Sequence, residues 1–160
     1  MAVISLPKRI YERLREAAEE EGVSVEGYLL SLIAESLDPR SRAEIYWEAS
    51  LELLKQAEEE LSKGNLRQAG EKMWGAAALA VKATAYRRDG IRLSSHRELW
   101  EYVGKLAVER GDEELMRLWR SISSMHVNFY EGWATKEHVE GALKDARSFV
   151  RKLRGVAARR

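Results

Sequence analysis

The stretch "WRSISSMHVNFYEGW" places Arg120 and His126 with five residues between them, among two tryptophans, a phenylalanine and a tyrosine. An arginine is always charged, and its planar fork suits a phosphate. A histidine titrates near neutral pH and can take or return a proton. Together they are candidates for phosphate chemistry that needs no metal. Asn128, Tyr130 and Glu131 follow closely and are candidate binding residues.

The element that carries the pair limits what it can do. On a regular helix six residues turn about 600°, which leaves the two side chains roughly 120° apart. Both reach one substrate only if the helix ends early or a second chain completes the site. A packing reading competes with this one. Leu115, Trp119, Ile122 and His126 recur at helical spacing,. His126 then becomes an enclosed ring that needs a carboxylate or carbonyl partner, with Glu71 or Glu131 as the candidates. On that reading Gly132 ends the helix and Trp133 folds back on the body. His96 sits at a helix start, where the dipole disfavours its charged form. His138 reads as exposed.

A second candidate cluster lies in "EKMWGAAALAVKATA", residues 71–85. Its small residues let a neighbouring helix approach closely, and Met73 and Trp74 fill the remaining space. Glu71 and Lys72 open the run on an adjoining face. An acid before a wholly apolar stretch needs a partner if it is buried.

Composition narrows the class. A chain of 160 residues suggests one domain with a small appendage,. There are no cysteines, hence no disulfide framework or thiolate metal site, and the three histidines lack ligand spacing,. No apolar run approaches the ~18 residues that span a bilayer. With no signal peptide visible, a cytoplasmic location is expected. Charged residues make up 33% of the chain while Asn and Gln occur twice each, a balance that fits a thermophile source,. The net charge of +1 is uneven. Residues 1–38 hold four basic and eight acidic side chains, so −4, whereas residues 147–160 hold six basic ones and no acid. That tail reads as a solvated helix end, with phosphate contact as the alternative.

The periodicity is almost entirely helical. "AVISLP" alternates as a short strand, with Ala2, Ile4 and Leu6 on one side and Val3 and Ser5 on the other. Helices are predicted over residues 8–21, 24–37, 40–63, 65–88, 95–110, 112–132 and 135–154. Glycines at 22, 64, 90, 111 and 132 mark the stops. Ser24, Asn65, Ser95 with Glu98, Asp112 and Thr135 read as caps.

The first 38 residues resemble a ribbon-helix-helix module, a family in which two chains pair strands and outward strand residues read the major groove. The resemblance implies a dimerising role. Val3 and Ser5 are poor base readers and the module is acidic, so sequence-specific DNA binding is not expected. Over most of the chain, "EKMWGAAALAVKA", "SSHREL" and "MHVNFYEGW", in that order and spacing, resemble the archaeal PaREP family. The helical body of that family is similar to HEPN domains, the higher eukaryotes and prokaryotes nucleotide-binding fold. Many HEPN domains are metal-independent ribonucleases or toxins whose motif is an Arg, four to six residues, then a His, contributed by paired protomers. Arg120 and His126 fall within that spacing. Ser121 and Asn128 depart from the toxin pattern of a strongly polar residue after the Arg and a His-x-Tyr pair.

The reading is an all-α protein: a HEPN-like antiparallel helical bundle over residues 39–160, preceded over residues 1–38 by a short strand and helical hairpin. It is expected to be a homodimeric binding or interaction protein without cofactor or metal, with nucleotide or RNA as ligand. Glu71, Lys72, Trp74, His96, Asn128, Tyr130 and Glu131 are the binding candidates. The alternative is a HEPN-type ribonuclease that uses Arg120 and His126. No membrane association is expected.

Overall fold

In a computed structural model, residues 2–158 are described, and they form seven α-helices. These are α1 Lys8–Glu21, α2 Val25–Glu35, α3 Pro39–Ser62, α4 Leu66–Asp89, α5 His96–Arg110, α6 Glu113–Glu131 and α7 Lys136–Ala158. Among the described residues there is no strand. The short N-terminal strand is therefore corrected: residues 2–7 carry no regular structure, and Val3 and Ile4 are almost fully exposed. A six-residue run has no ladder partner within one chain, and an unpaired strand is not stable in water.

Helix α4 is the axis of the bundle. Every residue from Met73 to Tyr86 is buried, because α3, α5, α6 and α7 all pack around it. A helix that is apolar all round has no face for solvent. Its small residues set the spacing. A Cβ at Gly75 would lie 3.2 Å from Leu53 Cδ1 of α3, and one at Gly70 would lie 3.2 Å from Met125 Cβ of α6. Ser50 Oγ on α3 donates to the Ala76 carbonyl at 2.7 Å, a buried hydrogen bond between α3 and α4. Tyr46, Trp119 and Phe149 are the largest fully buried side chains. Burial of each contributes roughly 1.5–3 kcal/mol.

Helix ends follow local chemistry. Gly22, Gly90, Gly111 and Gly132 all take the left-handed conformation that ends α1, α4, α5 and α6. Ser24 accepts from Gly27 N, and Ser95 accepts from Glu98 N. The Glu98 carboxylate reaches back one residue further than a standard capping box, to Ser94 N at 2.6 Å,. Asp38, unremarked in the sequence, caps α3 through Arg40 N and Ser41 N.

Two expected caps differ. Asn65 makes no capping bond and gives its amide to Glu60, while Asp112 makes none and pairs with Lys152 at 2.8 Å. Lys152 also meets Glu114, and Arg147 pairs with Glu58, so part of the basic last helix is spent on neighbouring acids. Helix α7 runs on to Ala158, beyond the expected end at 154. No helix among the described residues is long and apolar enough to cross a membrane.

The α1–α2 hairpin lies against the body. Arg92, in the α4–α5 connection, pairs with Glu21 at 3.6 Å and Glu35 at 2.6 Å. Lys72 of α4 pairs with Glu26 at 3.5 Å. Leu79 of α4 approaches Gly27.

Candidate functional site

The close approach of α4 and α6 at Gly70 and Met125 brings the next residue of each helix together. His126 Nδ1 lies 2.9 Å from Glu71 Oε2 and 3.2 Å from Oε1. A carboxylate accepts the Nδ1 proton, so the neutral ring keeps its lone pair at Nε2. Both side chains are about four-fifths buried, with 21% of His126 and 19% of Glu71 exposed.

Three rings then cluster. Trp74, one turn after Glu71, stacks on His126 at 4.2 Å between centroids and on His96 at 4.9 Å, each at 21°. His96 and His126 are 5.0 Å apart. Tyr130 meets the His126 ring edge-on at 5.6 Å.

The turn between α1 and α2 covers His96. Gly22 has φ +66°, and a Cβ there would overlap the His96 ring. Glycine is thus required twice, for its left-handed backbone and for the missing side chain. His96 is hydrogen-bonded to the Gly22 backbone. Burial, with His126 as a second cause, pushes His96 below its ordinary value of 6.5. The direction agrees with the sequence expectation, but the causes are burial and a neighbouring ring rather than the helix dipole.

Lys82 lies deeper on α4 and is only 2% exposed. Burial lowers its pKa to about 8, partly opposed by Glu21 and Glu98. Lys82 was not among the sequence candidates. Its signal was present: it is the one charged residue within "GAAALAVKATA".

The remaining candidates divide. Lys72 turns to Glu26 on the hairpin rather than to the rings. Asn128 is buried and holds the loop after α6, its Oδ1 accepting from Ala134 N at 2.7 Å. Tyr130 is largely exposed, and burial with Glu71 raises its hydroxyl pKa. Glu131 is exposed at the end of α6.

Arg120 lines an open groove between α5 and α6 with Gly104, Val108, Met116 and Arg117. His126 faces α4. The two side chains therefore meet different neighbours, as the turn of the helix requires. Trp119 and Ile122 are buried and Phe129 half-buried. Trp133 does not fold fully back: it is 47% exposed, with its ring edge against His138 at 6.0 Å. Among the described residues no group of three or more His, Asp or Glu is placed to hold a metal ion.

Residues 45–150, which carry α4–α6 whole and most of α3 and α7, match the archaeal PaREP1/PaREP8 family. The chain belongs to that family. A Sulfolobus solfataricus protein of known crystal structure is similar, with a TM-score of 0.56 and 29% identity over 71% of this chain and 94% of that one. No curated protein matches. The PaREP match spans Glu71, Trp74, His96 and His126, so the whole ring cluster lies in the family region. Gly22, which covers His96, lies outside it.

Proposed function

We propose that this PaREP protein is a HEPN-like, homodimeric, cytoplasmic binding protein whose ligand is a nucleotide or RNA, and that it does not cleave its ligand. One observation carries the reading. His126 is engaged by Glu71, Trp74 and His96, while Arg120 stands on a separate groove. A general acid–base histidine must reach the reacting oxygen, directly or through one water. The same enclosure suits a structural centre that fixes the hairpin on the bundle. Exposed apolar residues on the N-terminal module, among them Val3, Ile4, Ile10, Tyr11 and Ile33, support self-association there,. Sequence-specific duplex DNA is not the expected target, because this module is acidic and Val3 and Ser5 are poor base readers,.

A second reading draws on the Glu71–His126 pair itself. A carboxylate that orients a histidine is how a catalytic imidazole is held in one tautomer. A ribonuclease of HEPN type would then need Arg120 from a second chain beside an uncovered His126. Incubation of the purified protein with labelled RNA, beside His126→Ala, separates the two. Retained RNA without cleavage supports the binding reading, and cleavage lost in His126→Ala replaces it with the enzyme.

A further inference from the structure

The start of α4 and the end of α6 enclose a cleft of about 600 Å³ that uses none of the ring cluster. Its walls include Asn65, Arg67, Gln68, Asn128, Phe129 and Gly132. Three features of this cleft are donors without acceptors.

The first is the helix start. The 24-residue helix α4 begins without a side-chain cap, because the Asn65 amide is turned to Glu60. The backbone N–H groups of Arg67 and Gln68 have no acceptor among the described residues. Such groups, at the positive pole of a long helix, favour an anion.

The second is Asn128, 1% exposed. The Ala134 N–H can only donate, so Asn128 must present Oδ1 to it,. That orientation leaves Nδ2 buried with no hydrogen-bond partner among the described residues. A buried amide donor left unpaired costs stability and is normally satisfied.

The third is Arg67. Its guanidinium lies against Gly132, where any Cβ would overlap it, and it forms no ion pair among the described residues. Glu60, which takes the Asn65 amide, is also held by Lys63 and does not line the cleft.

We infer that this cleft is a phosphate-binding site, in which the Arg67 and Gln68 backbone N–H groups, the Arg67 guanidinium and Asn128 Nδ2 donate to one phosphate group. Phosphate fits because it offers several acceptor oxygens to donors of two helices that line one cleft, and because a guanidinium fork matches it,. Phe129 on the same wall gives an apolar ring to whatever the phosphate carries. The site does not rest on the function proposed above, since Glu71, Trp74, His96 and His126 take no part.

The test is amide NMR of the full chain titrated with inorganic phosphate, against sodium chloride at equal ionic strength. Saturable shifts are expected at the Arg67 and Gln68 amides and at the Asn128 side-chain amide, in phosphate alone. Arg67→Gln, an exposed substitution, should weaken binding about tenfold or more. Asn128→Asp keeps the acceptor for Ala134 N–H and replaces the free donor by a negative oxygen, so it should abolish binding. A parallel titration with adenosine 5′-monophosphate reads the source of the phosphate. Tighter binding than inorganic phosphate identifies an ester with its base near Phe129, and equal binding identifies the free ion. The inference is overturned if these amides do not saturate, if sodium chloride shifts them equally, or if Arg67→Gln binds phosphate as the wild type does. Arg67 would then serve only as a cation against the carbonyl end of α6.

Discussion

His126 Nδ1 and Glu71 Oε2 stand 2.9 Å apart across the α4–α6 contact, on helices brought close by Gly70 against Met125. Fifty-five positions separate them in the chain. The pair joins the central helix to the aromatic end of α6, and its removal should be read first in stability. His126→Ala should cost about 1–3 kcal/mol, because the Glu71 carboxylate loses its partner in a mostly covered place. Arg120→Ala, on the exposed side of α6, should stay within about 0.5 kcal/mol of wild type. Urea unfolding of both variants checks this. A His126→Ala protein as stable as wild type would remove the structural role.

Trp119 lies 1% exposed between Trp100 and Phe149, with centroids at 5.8 and 5.5 Å. Trp119→Ala should cost roughly 3–5 kcal/mol. Trp133→Ala, at a half-exposed ring, should cost far less. Equal losses in thermal unfolding would mean that Trp133 packs on the body after all.

Lys82 carries a pH dependence whose sign is fixed by its environment. Its folded pKa of about 8 lies below the ordinary 10.5, so the unfolded chain binds more protons between those values. Stability relative to Lys82→Met should therefore rise as pH climbs from 8 to 10.5. Below pH 8 the cost of burying the charge is fully present, at about 3 kcal/mol. Lys82→Met should then be the more stable protein at pH 7, with the gap closing by pH 10.5. Denaturant titrations at the two pH values measure the gap, and a gap that widens at high pH would contradict the assignment.

His96 should titrate below the ordinary histidine value, since it is covered by Gly22 and faces His126. As pH falls through 6.5 the unfolded chain takes a proton that the folded ring refuses, so this contribution to stability is lost on acidification. Proton NMR of the ring reads the midpoint. In Gly22→Ala the new Cβ must displace the ring, and the strained turn alone costs about 1–2 kcal/mol. A His96 midpoint at or above the ordinary value in wild type would mean that the ring is not covered.

Ile10 and Ile33 are about half exposed on the N-terminal hairpin. If that face joins two copies, changing both to Glu should halve the mass seen by light scattering and leave helicity unchanged. An unaltered dimer would place the interface on the helical body.

What the sequence determined by itself is local. The glycine stops at 22, 90, 111 and 132 and the Ser24 and Ser95 caps were legible, because each depends on the φ or hydrogen bonding of a few neighbouring residues. The burial of α4 was legible from its run of small residues, and Glu71 was one of two acids that could partner His126. Tertiary structure decided between Glu71 and Glu131, since only the approach of α6 at Gly70 sets which carboxylate lies within 3 Å. It also reassigned two caps: Asn65 and Asp112 have the right residue type, but Glu60 and Lys152 compete for their side chains. The alternation of residues 2–6 suggested a strand, yet a strand exists only where another backbone meets it. Three-ring stacking around Trp74 and the cover of Gly22 over His96 join four separate parts of the chain. No local pattern encodes them, because they arise where packed helices converge.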